Sequence, residues 1–229
     1  LRMLPSPQCD DLTFLRRAYI DLPGTLPPLD RIQPFADNKD PNKREKLVDD
    51  LLKRPEFVDL WTLKWADLLQ IRTVNNQVYT KSIQLYRNWL RDQILEGVPL
   101  NTLAAKLLTA TGSNVENPAA NFYSLETDPI RVTEDAAQAF MGIRIQCAQC
   151  HNHPFDRWTM SDYRGLMAFF MQVGRKPGED PREKIIYNQG AGEAIHPVGS
   201  KAVPPKFPGG EEPDVKGKDR REVLAQWLA

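Results

Sequence analysis

The feature that most constrains the fold of this chain is a run of apolar residues at helical spacing that ends in two cysteines. Steps of three or four residues connect Val132, Ala136, Phe140, Ile143, Cys147 and Cys150. Because residues three and four apart share one face of an α-helix, this spacing predicts one long helix with both sulfurs on its apolar face, one turn apart. Gly142 lies inside that predicted helix, where a glycine costs about 1 kcal/mol relative to alanine but lets a flat group approach the backbone.

Helical spacing elsewhere predicts a mainly α fold of eight or nine helices. Asp10 and Asp11 are capping residues before a helix that ends near Asp21, and Thr159 with Asp162 predicts a capping box. Further helices are predicted over 29–35, 41–54, 57–68, 83–96, 100–111 and, after Asp219, from 220 onward. Residues 113–127 are predicted to be loop, and residues 174–210, rich in Pro, Gly and charge, to be an irregular, β-poor extension.

The chemistry of the chain is concentrated in the segment Cys147-Ala148-Gln149-Cys150-His151. Two thiols one turn apart, followed at once by an imidazole, match the pattern by which a c-type haem is attached. The thiols bond the two vinyl groups of the porphyrin, and the histidine ligates the iron. The sequence therefore predicts one covalent haem c, bound through Cys147, Cys150 and His151.

Three other readings of the same residues stay open. The two cysteines are also explained as small buried residues of a helix face. A zinc site would use both thiolates with His151 or His153, and only Cys9 and His196 remain to complete it. The third alternative is a redox-active dithiol, although a cysteine pair at the end of a helix lacks the helix N-terminus that lowers thiol pKa values.

The second axial ligand of the iron is also open. The candidates are His196, in the proline-flanked segment Ile195-His196-Pro197, and the methionines Met160 and Met167. Met167 lies on an apolar stripe and is equally explained as a core residue, and an unfilled sixth position is a further option. Candidate partners of the haem propionates, chosen by their proximity in sequence, are Arg144, Arg157, Trp158 and His153.

Residues around these motifs resemble a cytochrome-like domain family of unknown function that is abundant in planctomycetes. The resemblance rests on segments such as Phe14-Leu15-Arg16-Arg17-Ala18-Tyr19-Ile20-Asp21-Leu22 and Cys150-His151-Asn152-His153-Pro154-Phe155. It implies a c-type haem, a large periplasmic or secreted protein, and a second planctomycete domain from about Asp219. It also favours His196 as the distal ligand, because the family pattern has His-Pro at this place. Pro23, where Thr is more usual, and Cys9 depart from the pattern.

The expected domain organisation follows from these assignments. Residues 1–215 are predicted to form the cytochrome-like domain, with a helical core over 10–173 and an extended segment over 174–210 that covers the haem. Residues 216–229 are predicted to be a linker and the first helix of a following domain. We expect the chain to be part of a longer, exported polypeptide.

Composition narrows the functions that this domain can have. Its 30 Lys and Arg are balanced by 30 Asp and Glu along the chain, so nucleic acid is not an expected partner. No apolar run reaches the roughly 20 residues of a membrane-spanning helix, and no hydrolase motif is present. We expect electron exchange with a redox partner protein or a fused domain, rather than catalysis. The alternatives are a peroxidase-like haem oxidoreductase with an open sixth site and a zinc-stabilised binding module.

Overall fold

The structure, a computed structural model, describes residues 6–72 and 80–229; residues 1–5 and 73–79 of the predicted 1–215 domain lie outside it. The chain divides into two compact units, Leu1–Lys64 and Trp65–Ala229. The described ranges contain ten α-helices and five short strands, which confirms the prediction of a mainly α, β-poor fold. Among the helices of these ranges, none has both the length and the hydropathy that crossing a bilayer demands.

The first unit is built on helix α1 (Asp11–Asp21), which packs against α2 (Leu29–Asp37) and α3 (Lys43–Leu52). The side chain of Asp10 accepts a hydrogen bond from the Thr13 amide (2.8 Å), so the helix begins where its capping residue predicts. Leu15, Tyr19 and Leu51 form the small core of this unit. Helix α4 (Pro55–Leu68) begins here and ends in the second unit.

The second unit places six further helices around one apolar core. They are α5 (Thr80–Leu95), α6 (Leu100–Leu108), α7 (Asn121–Leu125), α8 (Pro129–Met141), α9 (Met160–Met167) and α10 (Arg220–Leu228), with short 3₁₀ helices at Pro118–Ala120 and Gln146–Gln149. Leu90, Leu107, Phe169 and Leu224 are fully buried in this core. The predicted capping box at the start of α9 is confirmed, because Thr159 and Asp162 exchange side-chain to backbone hydrogen bonds.

Two small antiparallel sheets cover part of this core. The strands β1 (Gly112–Ser113), β2 (Val173–Pro177) and β3 (Lys184–Asn188) pair in the order β1-β3-β2, with Arg175 opposite Ile186. The strands β4 (Ala194–Ile195) and β5 (Ala202–Val203) form a separate pair. The predicted irregular extension thus contributes four of the five strands in the described ranges.

The prediction that residues 113–127 form a loop is wrong. This segment contains a 3₁₀ helix and α7, which the side chains of Asn114 and Asn121 hold together. The side-chain Nδ2 of Asn121 donates to the backbone carbonyl of Asn114 (2.7 Å), and the side-chain Nδ2 of Asn114 donates to Oδ1 of Asn121 (3.0 Å). Asparagine is typical of loops when a sequence is read locally, and here the same polarity is used for buried hydrogen bonds.

The prediction of one continuous helix from 132 to 150 is also wrong, because α8 ends at Met141. Gly142 adopts the left-handed conformation with φ 66°, and the Ile143 amide donates back to the Ala137 carbonyl (3.2 Å). The helix thus ends at a left-handed residue, for which glycine is preferred. The two cysteines therefore lie outside α8, in and directly after the separate 3₁₀ helix Gln146–Gln149.

Helix α10 packs against α6 in the second unit. Leu224 and Ala225 belong to its core, and the Arg221 guanidinium donates to the Ala110 carbonyl (3.1 Å). Within the described chain, 220–228 is thus an integral part of this unit. The limits of the predicted domains, 1–215 and 216–229, stay a prediction.

Candidate functional site

The motif turn, defined as the 3₁₀ helix Gln146–Gln149 with Cys150 directly after it, presents both of its cysteines to solvent. A 3₁₀ helix has three residues per turn, so residues three apart lie on the same side. Ile145 and Ala148 are 3 % and 0 % exposed and anchor one side of the turn in the core. Cys147 and Cys150, also three apart, are exposed free thiols. The spacing of one turn is as predicted, but the sulfurs are on the exposed side and not on the apolar face.

His151 is exposed, and its ring is held by the backbone of the next residue. Its Nδ1 lies 2.7 Å from the Asn152 carbonyl oxygen. A carbonyl oxygen only accepts hydrogen bonds, so the neutral ring carries its proton on Nδ1, and the lone pair is on Nε2. Hydrogen bonding of Nδ1 to a carbonyl is the arrangement that fixes a histidine for metal coordination through Nε2.

His153 has the opposite arrangement. Its Nδ1 accepts a hydrogen bond from the Phe155 amide (3.3 Å), so the proton of the neutral ring is on Nε2. Its own amide donates to the Trp158 carbonyl (2.8 Å), which closes the loop after the motif turn. His153 is therefore set to donate a hydrogen bond, and His151 is set to coordinate a metal.

The loop that carries His151 is fixed to the start of α9. The Met160 amide donates to the side-chain oxygen of Asn152 (3.2 Å), while the Asn152 backbone carbonyl accepts a hydrogen bond from His151 Nδ1. Asn152 thus connects the imidazole to a helix whose start is stabilised by its own capping box. Phe155 in this loop is 94 % exposed, an apolar contact surface beside the motif turn that sequence reasoning did not single out.

The other three predicted propionate partners besides His153 differ in their surroundings. Arg144 is exposed between the end of α8 and the motif turn. The Arg157 guanidinium lies over the Trp158 ring, 4.7 Å from its centroid. Trp158 is 6 % exposed, and its indole Nε1–H finds no acceptor within the described ranges. The structure brings Arg157 and Trp158 into contact with each other and leaves Arg144 apart from them.

The candidate distal ligands lie on two elements. His196 follows β4, where its amide donates to the Lys201 carbonyl (2.9 Å) and its Nδ1 lies 3.0 Å from the Val198 carbonyl oxygen. Met160 is the first residue of α9. Met167, at the end of the same helix, is 5 % exposed and packs in the core. Both β4 and the motif turn pack against α9.

A half-buried arginine that sequence reasoning missed lies against the motif turn. The Arg164 guanidinium donates to the Gln149 carbonyl (3.2 Å), across fifteen positions of sequence. Gln149 directly precedes Cys150, so this contact connects α9 to the peptide next to a predicted attachment residue. No local pattern reveals such a contact, because it depends on how α9 packs.

A cavity of about 210 Å³ lies beside the motif turn, and Gln146 of the turn is part of its wall. Its charged lining consists of Arg72, Glu126, Arg131, Glu134 and Asp135. Burial, followed by the charges of Glu126 and Glu134, raises the pKa of Asp135 from 3.8 to about 6. Burial also raises the pKa of Glu134, which accepts a hydrogen bond from the Tyr163 hydroxyl (3.1 Å). The cavity therefore holds one carboxyl, Asp135, that binds a proton at mildly acidic pH, beside a second whose pKa is also raised.

The donor set of the motif turn fits a covalent haem better than zinc. Across the described ranges, no three or more His, Cys, Asp or Glu side chains are grouped so that they could hold a metal ion, whereas structural zinc requires four protein ligands. A haem brings four nitrogens of its own and needs one strong protein ligand and two reachable thiols. His151, Cys147 and Cys150 meet that requirement. Cys9 lies in the first unit, half-buried, with its carbonyl accepting from Arg44 (2.8 Å).

Comparison with known families places these residues in a recognised group. The model of PSCyt2, described as a protein of unknown function (DUF1549), matches residues 1–175, which include the motif turn. The search of curated proteins and the search of solved structures gave no match. Since the match covers most of the 229 residues, the chain belongs to the PSCyt2 family of proteins of unknown function.

Proposed function

We propose that this chain is a c-type cytochrome domain that binds one covalent haem through Cys147, Cys150 and His151. The observation that carries the proposal is the hydrogen bond from His151 Nδ1 to the Asn152 carbonyl (2.7 Å). It leaves Nε2 free to coordinate iron, directly beside two free thiols one turn apart.

Each residue of the proposed site has a separate role in holding the haem. Bound there, haem supplies a centre that gains and loses one electron. The two thiols hold its edge, His151 Nε2 ligates the iron, and Asn152 orients the imidazole while Met160 fixes Asn152. Because the motif turn is exposed, electrons can pass to a redox partner protein or a fused domain at the surface. Export to the periplasm or beyond is part of the proposal, since the attachment machinery acts there.

His196 is the proposed second ligand. Its Nδ1 accepts a hydrogen bond from the Val198 amide (3.1 Å) and lies 3.0 Å from the Val198 carbonyl oxygen. The support for His196 is its place directly after β4, which packs against α9 as the motif turn does. Met167 is the weaker alternative because its sulfur is in the core beside Arg164. Met160, the first residue of α9, stays an alternative. With His151 and His196 as its two protein ligands, a bound haem would supply one-electron exchange with little rearrangement.

A peroxidase-like haem oxidoreductase with an open sixth position is the second candidate. The cavity beside the motif turn favours it, because peroxide chemistry needs a group that exchanges protons near the iron. Asp135, with its pKa raised to about 6, and Glu134 are groups of that kind. Here the iron would bind cyanide readily, which separates this candidate from the first.

The test uses the chain exported from a host that matures c-type cytochromes. We expect haem that survives acid extraction and gives a pyridine haemochrome spectrum of the thioether type. The variant Cys147→Ala/Cys150→Ala should lose covalent haem, and the matched control Cys9→Ala should keep it. A colourless wild-type protein would overturn the proposal, and metal analysis would then decide whether zinc is bound.

The axial ligands are tested on the same material. We expect a six-coordinate, low-spin spectrum for the wild type and a high-spin spectrum after His196→Ala. Met160→Leu and Met167→Leu are matched controls that should leave the spectrum low-spin. A high-spin wild type that binds cyanide rapidly would instead support the oxidoreductase candidate.

A further inference from the structure

The guanidinium of Arg164 is half-buried and poorly satisfied. Of its five N–H groups, one on Nη2 donates to the Gln149 carbonyl (3.2 Å) and one on Nη1 points at the Met167 sulfur (3.8 Å), a weak acceptor. Its Nε–H is buried and has no acceptor within residues 6–72 and 80–229. The nearest aromatic contact is Tyr163, whose ring centroid is 5.6 Å from the guanidinium carbon.

Among the described residues of the same unit, the two buried arginines, Arg220 and Arg221, each form an ion pair. The half-buried Arg175 donates to three backbone carbonyls. Arg220 pairs with Glu193 (2.7 Å) and also donates to the Ala168 carbonyl (3.1 Å). Arg221 pairs with Asp219 (2.7 Å). Arg164 forms no ion pair in the described ranges, so its positive charge stays uncompensated next to the motif turn. A partly buried charge without a counter-ion carries a desolvation cost, and no ion-pair partner in the described part of the chain cancels its field.

We propose that Arg164 is a fixed cation that raises the reduction potential of the haem attached at the motif turn. This inference rests on the proposed function. Because the Arg164 guanidinium contacts the carbonyl of the residue before Cys150, its charge lies one peptide from the point of attachment. The oxidised iron porphyrin carries one more positive charge than the reduced form, so a nearby cation favours reduction by one electron. No proton moves, since arginine stays protonated in both states.

Arg164 acts through its field and as a positioning residue for the turn, and the two roles predict different results for lysine. Arg164→Lys keeps the positive charge but loses the planar guanidinium with its fork-like set of N–H donors, whereas Arg164→Gln keeps hydrogen-bond donors and loses the charge. Arg87→Gln is the matched control, because Arg87 is exposed on α5 of the same unit and is not assigned to the haem site, so solvent screens its charge.

The experiment is a spectroscopic redox titration of the haem-loaded proteins. We expect Arg164→Gln to weaken the preference for the reduced state about tenfold, a fall of about 59 mV for a one-electron couple. Arg164→Lys should stay close to the wild type, and the potential of Arg87→Gln should change little. The proposal fails if Arg164→Gln titrates like the wild type, or if the potential of Arg87→Gln falls equally far.

The lysine variant keeps the test decisive if the glutamine variant does not accumulate. A potential of Arg164→Lys far below that of the wild type would show that the fork, and not the charge, matters, and would overturn the proposal. A wild-type protein without haem would defeat the proposed function together with this inference. A haem-bearing wild type whose potential does not respond to Arg164 would defeat the inference alone.

Discussion

Replacing Asp135 by asparagine should stabilise the second unit above pH 6 and have little effect near pH 4. Asp135 lines the cavity beside the motif turn, where burial and the charges of Glu126 and Glu134 raise its pKa from 3.8 to about 6. Its ionised form is therefore disfavoured in the folded state relative to the unfolded state. Asparagine has nearly the same shape and no charge to desolvate.

The direction of the pH dependence follows from proton binding. Between pH 3.8 and about 6 the unfolded chain has lost the Asp135 proton and the folded chain retains it. The unfolded state thus binds fewer protons, and the free energy of unfolding falls as pH rises through this window. At 1.36 kcal/mol per pKa unit the whole shift corresponds to an upper limit of about 3 kcal/mol. Because the side chain is only partly buried, solvent screening reduces the expected effect to about 1 kcal/mol.

Urea unfolding followed by circular dichroism measures this difference. We expect Asp135→Asn to be more stable than the wild type by about 1 kcal/mol at pH 7.5, with the gain disappearing near pH 4. Asp92→Asn, which removes an exposed carboxylate from α5 in the same unit, is the matched control and should show no such gain. A gain of equal size at both pH values, or none at pH 7.5, would refute the reasoning.

Three further substitutions test the packing that supports the site. Arg221→Met leaves the partly buried Asp219 without its ion-pair partner and should lower the free energy of unfolding by about 3–5 kcal/mol. We expect a lower melting temperature, and an unchanged melting temperature would contradict this. Gly165→Ala places a methyl group 2.6 Å from the Lys206 side chain and should lower the free energy of unfolding by about 1–3 kcal/mol. A urea midpoint equal to that of the wild type would contradict this. Gly142→Ala meets no atom within 4 Å, so only its left-handed backbone matters, at about 1–2 kcal/mol; an asparagine there should cost less than the alanine.

Much of the helical framework could be predicted from the sequence because capping residues act locally. Asp10, Thr159 and Asp219 each accept from an amide of the helix that they precede, at the positions that their side chains predict. The mainly α, β-poor class follows from the same signals. The family also follows, because the segment around Cys150 is distinctive and the family match includes it.

The end of α8 could not be predicted, because apolar residues three and four apart are compatible both with one continuous α-helix and with an α-helix followed by a 3₁₀ helix. Ile143 and Cys147 continue the spacing of three and four residues past Gly142, yet the α-helix ends at that glycine. After the break, Ile145 and Ala148 enter the core from a 3₁₀ helix, which has a period of three. The side on which the cysteines lie is therefore opposite to the one that an α-helical pattern predicts.

The surroundings of the motif turn depend on contacts between distant parts of the chain. Arg164 contacts Gln149 through the packing of α9, and Tyr163 contacts Glu134 across 29 positions. The raised pKa of Asp135 depends on burial and on carboxylates from two elements. Sequence spacing carries no information on any of these, because each is a property of the packed unit.

The exposed cysteines of the motif turn have a consequence for the order of biogenesis. Ile145 and Ala148 lie in the core while Cys147 and Cys150 face solvent, so both thiols are accessible from outside the folded chain. Under the proposed function, haem attachment would therefore not have to precede folding, and a folded precursor would be a suitable substrate for maturation. The same accessibility makes that precursor sensitive to air, since exposed thiols oxidise in the absence of a reductant.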